Sequence, residues 1–312
     1  MAQESALNYL SHGQIPFFRL PQAPGEVPPG TRAVLVGVPT DLGATYQPGA
    51  RLAPWHVRRV SALVQGYHPG HRLDVFARVP AVDGGNVAFP PFDAAAMREA
   101  VEARAAAIAA RGAVPFTVGG DHSITLPILR ALSRQLGPLA VVHLDAHLDT
   151  SGPEIWGEPF HHGTPFRHAI AEGLVERGAL FQVGIRGPWG SAADDAPSRG
   201  HGGRIVTADE VAERGAAAIG EEIRRALGGR RTYLSFDVDA VDPAFAPGTG
   251  TPVPGGLTSR EAFAILRALS GTTLAGMDVV EVAPPLDAVD QTSNLAAHLL
   301  FEGLALLALA NP

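Results

Sequence analysis

Short apolar, β-branched runs recur along this chain, and most are separated by stretches whose apolar residues repeat with helical spacing. The first run, Ala33–Val38, reads AVLVGV, a pattern that fills a strand buried on both faces. Similar runs lie at 79–82, 114–118, 139–144, 180–183, 204–206, 232–236 and 274–282. Helical periodicity marks 94–111, 122–135, 217–227 and 259–269. Strands alternating with helices imply βαβ units and a parallel sheet covered on both sides. The first thirty residues, with their QAPGEVPPG segment, read as an extended arm or loop. Eight candidate strands in one run of alternation, with no Ser/Gly linker between halves, predict a single α/β domain over residues 1–312. A closed eight-stranded barrel has the same strand count and stays open as an alternative.

Composition narrows the function classes. Hydrophobic residues make up 46% of the chain and charged residues 18%, enough to bury a large core. A formal charge of −7 argues against a nucleic-acid partner, which calls for a basic stripe, and mildly favours the approach of a small cation. The absence of cysteine excludes a disulfide framework, a thiolate nucleophile and a cysteine-ligated zinc site. The opening MAQESALNYLSHG lacks the basic and apolar segments of a secretory signal. No uninterrupted apolar stretch reaches the roughly 18 residues of a membrane span. The expectation is a cytoplasmic protein with no membrane partner. The C-terminal LAAHLLFEGLALLALA, interrupted by His298, Glu302 and Gly303, reads as a buried amphipathic helix.

Three short motifs carry the chemistry, each just after a predicted strand. GGDHSIT supplies Asp121 and His122, DAHLD supplies Asp145, His147 and Asp149, and DVDAVDP supplies Asp237, Asp239 and Asp242. In an open parallel sheet, ligands gather at the carboxyl ends of the strands. The alternation in D-x-H-x-D and D-x-D would place the polar side chains on one side of an extended backbone. Taken alone, such a fragment is equally a helix cap or a loop anchor, and His122 a hydrogen-bonded core histidine. Three together are not so easily explained, because buried carboxylates gathered in one crevice need cations. His122, Asp145, His147, Asp149, Asp237 and Asp239 carry four negative charges, balancing two divalent ions. Carboxylates with a minority of imidazole suit manganese, and two such ions about 3.5–4 Å apart make hydroxide available at neutral pH.

Two further segments complete the picture. FHHGTPFR presents paired histidines ahead of a helix, and one of them near the metals could relay protons to a leaving amine. MDVVEVAPP places Asp278 and Glu281 among apolar residues. Glu281 suits a bidentate pairing with a guanidinium, or else a structural ion pair with an arginine.

The blocks GGDHSIT, HLDAHLD, SFDVDAVDPAFAPGTGTPVPGGL and DVVEVAPP resemble, in order and separation, the signatures of the ureohydrolases, the arginase/agmatinase family. The likeness spans about 34–303. It implies a three-layer α/β fold with a central eight-stranded parallel sheet, and two Mn²⁺ ions per subunit at its edge. It further implies His122, Asp145, Asp149 and Asp237 at one ion and Asp145, His147, Asp237 and Asp239 at the other. His162 matches the proton-shuttling histidine and Glu281 the carboxylate that orients the guanidinium, with Asp149 a second route for the proton. The implied reaction is hydrolysis of a small cationic guanidino compound to urea and an amine, by a homo-trimer or homo-hexamer.

Within the family, arginases carry a Ser/Thr/Asn-rich loop after DAHxD. Here TSGPEIWGEPFHHGTPFR has Trp156, Glu158 and Pro159 in that stretch and resembles the agmatinase branch. Agmatine is the default substrate, and ω-guanidino acids compete, because HHGTPFRH resembles the proclavaminate enzymes. The rival readings are a one-zinc deacylase of the histone-deacetylase kind and a metal-binding scaffold without turnover.

Overall fold

The computed structural model describes residues 15–310, so the opening of the predicted arm, residues 1–14, lies outside the described residues. Eight strands form one parallel sheet: β1 (Ala33–Val38), β2 (Ala81–Asn86), β3 (Val114–Gly119), β4 (Leu139–Leu144), β5 (Val175–Ile185), β6 (Arg204–Thr207), β7 (Arg231–Asp237) and β8 (Thr273–Val280). Their order is β2-β1-β3-β8-β7-β4-β5-β6, and every neighbouring pair is parallel. The sheet is open, with β2 and β6 at its edges, so the barrel alternative is not realised.

Alternation along each strand feeds two cores. In β1, Ala33 and Leu35 face one core while Val34, Val36 and Val38 face the other. The longer helices over the first core are α1 (Ala53–Ser61), α5 (Ala216–Leu227), α6 (Ser259–Ala268) and α7 (Gln291–Ala310). Opposite them lie α2 (Ala94–Ala109), α3 (Thr125–Leu136) and α4 (Pro165–Ala171). The result is helix, sheet, helix. Local signals set the boundaries. Asp93 caps α2 through the Ala96 amide, Thr258 and Glu261 form a reciprocal capping box on α6, and Gly228 ends α5 in the left-handed region.

Two expectations change. The described part of the arm is not merely a loop, because Phe17 and Phe18 are fully buried, Phe18 lying 5.6 Å from the Phe76 ring and 6.5 Å from Phe301. Helix α7 is buried nearly all round rather than amphipathic. By length and composition α7 could cross a membrane, yet 78% of its most apolar window is buried inside this fold. Gly303 is what lets it lie so close to β8: a Cβ there would sit 2.2 Å from the Met277 sulfur. Glu302, charged and buried, is matched by Arg267 and by His68 at 3.1 Å.

Candidate metal centre

Strand order explains why three distant motifs meet. β3, β8, β7 and β4 lie side by side, and their carboxyl ends deliver His122, Glu281, Asp237 and Asp145 respectively. The convergence is made by tight turns rather than by extended alternation. His122 opens a 3₁₀ turn capped by Asp121, and Asp239 sits in another, with its amide bonded to the Asp237 carboxylate. The Asp145 carboxylate accepts the His147 amide at 2.6 Å. Gly120 permits the first of these turns, since a Cβ there would meet the Thr40 carbonyl oxygen at 2.4 Å. Asp149 and Glu281 both hold positive φ, 51° and 61°, which is uncommon for residues other than glycine and concentrates at functional sites.

All six predicted metal ligands are brought together. Around His122 Nδ1 stand Asp149 Oδ2 at 2.9 Å, Asp145 Oδ2 at 3.2 Å and Asp237 Oδ2 at 3.3 Å. Around His147 Nδ1 stand Asp239 Oδ2 at 3.1 Å and Asp145 Oδ1 at 3.3 Å. Asp145 thus reaches both imidazoles, one oxygen to each. The carboxylates are buried, whereas the His147 side chain is 40% exposed toward the cavity. Asp121 and Asp242 take no part. Asp121 accepts the amides of Ser123 and Gly43, and Asp242 those of Ala244, Gly255 and Gly256.

A layer of hydrogen bonds behind these groups fixes which atoms face the centre. Asp278, fully buried, accepts the hydroxyls of Thr125, Tyr233 and Ser235 at 2.6–2.7 Å. The Ser235 oxygen therefore accepts from His122 Nε2 at 2.8 Å, leaving Nδ1 as the ring atom that faces the carboxylates. That Nδ1 makes no well-aligned hydrogen bond although buried. Three anionic oxygens around one nitrogen, none placed as a directional acceptor, is an arrangement a small cation satisfies. The donor set fits a divalent metal.

His143 was missed by sequence reasoning. Its Nδ1 faces the Gln182 amide nitrogen at 3.0 Å, and that amide is oriented by the Leu148 carbonyl at 2.7 Å. His143 Nε2 must then donate to Asp145 Oδ2, at 2.7 Å. Although His143 lies close enough to group with the metal-binding residues, it is a donor that orients Asp145 and not a ligand. The signal was available: His143 stands two positions before Asp145 in HLDAHLD, on the same side of β4.

Charge follows the same geometry. Burial works against a charged His147, but Asp239 and Asp145 outweigh it and push its pKa up to about 12. His122 behaves alike: burial disfavours the imidazolium, and Asp145, Asp149 and Asp237 carry it well above its ordinary value. Burial, then the Asp239 and Asp145 charges, raise Asp237 well above the usual carboxylate range. A metal-free centre therefore holds protons where cations fit.

Glu281 and His162 stand together beside this cluster. Glu281 Oε1 accepts the His122 amide at 2.8 Å and faces His162 Nδ1 at 3.0 Å, so its partner is a histidine and not an arginine. His162 Nε2 reaches Thr45 at 2.8 Å. Burial lowers and Glu281 raises the His162 pKa, the balance standing at about 9. A cavity of about 640 Å³ opens over the site, walled by His147, Asp149, Asp237 and His162 with Trp156 and Trp189 among its other residues.

An open parallel sheet with a carboxylate–imidazole cluster across four central strand ends offers the donor set that metal-assisted hydrolysis requires. The sequence profile of the arginase family matches residues 31–305, and the chain belongs to that family of enzymes. It is 45% identical over 291 residues to the proclavaminate amidinohydrolase of Streptomyces clavuligerus, covering 92% of this chain and 91% of that one. The solved structure of that enzyme superposes with a TM-score of 0.90 and 43% identity, over 96% and 99% of the two chains. Guanidinopropionase of Pseudomonas aeruginosa is 44% identical over 292 residues, 94% of this chain and 91% of that one. A Trypanosoma cruzi formiminoglutamase, described with Mn²⁺, matches at TM-score 0.81 and 25% identity, over 98% and 99% of the chains.

Proposed function

We propose that the chain is a two-manganese amidinohydrolase that cleaves a guanidino substrate, agmatine or an ω-guanidino acid, to urea and an amine. The observation that carries this reading is the buried His122 Nδ1, unpaired and ringed by three carboxylate oxygens. His122, Asp145, Asp149 and Asp237 would hold one ion, and Asp145, His147, Asp237 and Asp239 the other, with Asp145 and Asp237 shared. Bound there, two divalent ions supply Lewis acidity and an activated water at neutral pH.

The remaining work falls to the chain's own groups. Glu281 spends Oε1 on the His122 amide and His162, leaving Oε2 to accept an N–H from the substrate guanidinium and fix its plane. His162, held protonated by Glu281, delivers a proton to the departing amine, with Asp149 as a second route. The subunits are proposed to assemble as trimers or hexamers, which light scattering on the purified chain would read directly.

Steady-state urea release from Mn²⁺-loaded protein over agmatine, arginine, 4-guanidinobutanoate and 3-guanidinopropanoate tests the reading, alongside elemental analysis for two metals per chain. Arginine leading the panel overturns the branch. Tight Mn²⁺ binding with no urea from any substrate favours the scaffold, and a single ion per chain favours the deacylase. Asp145→Ala and His147→Ala should lower metal content and activity together.

A further inference from the structure

Among the described residues, the wall of the cavity carries one hydrogen-bond donor without an acceptor and one guanidinium without an anion. Arg167, in the first turn of α4, lines the cavity and is partly buried. Among the described residues the one hydrogen bond of its guanidinium is a stretched contact of Nη1 with the Thr150 carbonyl at 3.5 Å, and no carboxylate lies within ion-pair distance of it. Arg186, the other arginine of the cavity, is spent on the carbonyls of Val253, Gly184, Ala240 and Asp239. His161 also lines the cavity and is 4% exposed. Its Nδ1 accepts the Gly163 amide at 3.1 Å, so Nε2 carries the hydrogen, and Nε2 is buried without a partner. A partly buried guanidinium without an anion and a buried N–H without an acceptor both call for an acidic oxygen.

We propose that Arg167, assisted by His161 Nε2, receives a carboxylate at the far end of the substrate, so that the chain is selective for ω-guanidino acids over agmatine. This rests on the amidinohydrolase reading above. The backbone sets the reach: the Arg167 amide faces the Asp149 carbonyl at 3.4 Å, so the guanidinium and the metal-facing carboxylate of Asp149 rise from adjoining backbone into the same cavity. An ammonium tail has poorer prospects there. Asp194 already accepts the Ser191 hydroxyl and the Gly190 amide, and Glu154 is exposed to water, where a pairing with the tail is screened. Neutralising the carboxylate therefore removes the contact that Arg167 supplies, whereas adding a positive charge opposes it.

The test is kcat/KM for 4-guanidinobutanoate, its neutral amide 4-guanidinobutanamide, and agmatine, on Mn²⁺-loaded protein. The acid should exceed both. Arg167→Gln should lower the ratio of acid to amide by about 10–100-fold, mainly through KM, as expected for a charge-assisted pair, and Arg167→Lys should restore part of it. Calorimetry should show 4-aminobutanoate, the amine product, binding the loaded protein and weakening in Arg167→Gln by a similar factor. An unchanged acid-to-amide ratio in both variants overturns the proposal, as does agmatine leading in the parent chain. If none of the three yields urea, the amidinohydrolase reading itself fails. If urea is released with the opposite tail preference, only the Arg167 assignment does.

Discussion

Acidification should strip metal from this centre with a slope that counts its imidazoles. In the metal-free chain His147 holds its proton up to about 12 and His122 is raised well above its ordinary value, so both rings are charged near neutrality. A metal ligand must offer a lone pair, and each ion therefore expels a proton as it binds. From about pH 6.5 to about 8.5, Mn²⁺ affinity should climb about tenfold per pH unit at each ion, roughly 100-fold per unit for the pair. The sign carries over to folding. A raised imidazole pKa contributes stability that is fully present below the unfolded value of about 6.5 and lost as pH rises through about 12. Protons thus stabilise the metal-free fold in the conditions where they exclude metal. Equilibrium dialysis with free Mn²⁺ read by electron paramagnetic resonance gives the slope. Calorimetry in buffers of different ionisation enthalpy counts the protons, expected at about two per chain from the imidazoles, with any proton held by Asp237 adding to them. Affinity that is flat over this range, with no proton release, would mean that His122 and His147 are not ligands.

Glu281→Gln keeps an acceptor for the His122 amide but removes the charge that lifts His162 to about 9. Urea release should fall roughly 100-fold or more with metal content preserved, and the basic limb of the rate profile should move downward; an unmoved limb would separate His162 from proton delivery. Ser235→Ala cuts the link between His122 Nε2 and Asp278, and Mn²⁺ affinity should drop about 10–100-fold, measured by competition with a chelator; an unchanged affinity would show that the link does not position His122. Phe17→Ala opens a cavity where a fully buried ring sat and should cost about 3–5 kcal/mol in denaturant unfolding; a loss below about 1 kcal/mol would contradict packing of the arm into the core.

The strands were legible because both of their faces are buried, which forces unbroken apolar runs; β4 falls where the 139–144 run lies. β5 is longer than its apolar run, beginning at Val175 and passing through exposed Arg177 and Gly178, since its polar start carries no hydrophobic signal. The buried Phe17 and Phe18 were hidden for a related reason. They stand among prolines and glycines, and their partners are distant, Phe76 and Phe301 against Phe18 and the Arg58 guanidinium over Phe17. That the six candidate side chains would meet was legible, because buried carboxylates spread over three strand ends need a common counter-charge. What orients them was not. His143 is oriented by Gln182, and Asp278 reaches His122 through Ser235, pairings across strands whose order no local pattern contains.

That order also explains the strain. A strand running straight on would carry its next side chains away from the crevice, yet Asp149 and Glu281 both turn back at positive φ, a conformation costing about 1–3 kcal/mol for such residues. Each is held by backbone contacts from a neighbouring element. The Asp149 carbonyl faces the Phe166 amide at 3.1 Å and the Arg167 amide at 3.4 Å, at the start of α4, and the Glu281 amide donates to the Gly120 carbonyl at 3.0 Å. The second contact ties β8 to the GGDH turn after β3, so the group proposed to orient the guanidinium is fixed by the same turn that presents His122. The first ties the DAHLD turn to the helix that carries Arg167. The two ends of the proposed substrate are therefore gripped by residues whose backbones are already bonded to the metal-facing turns, and a shift in either turn would move metal and substrate contacts together.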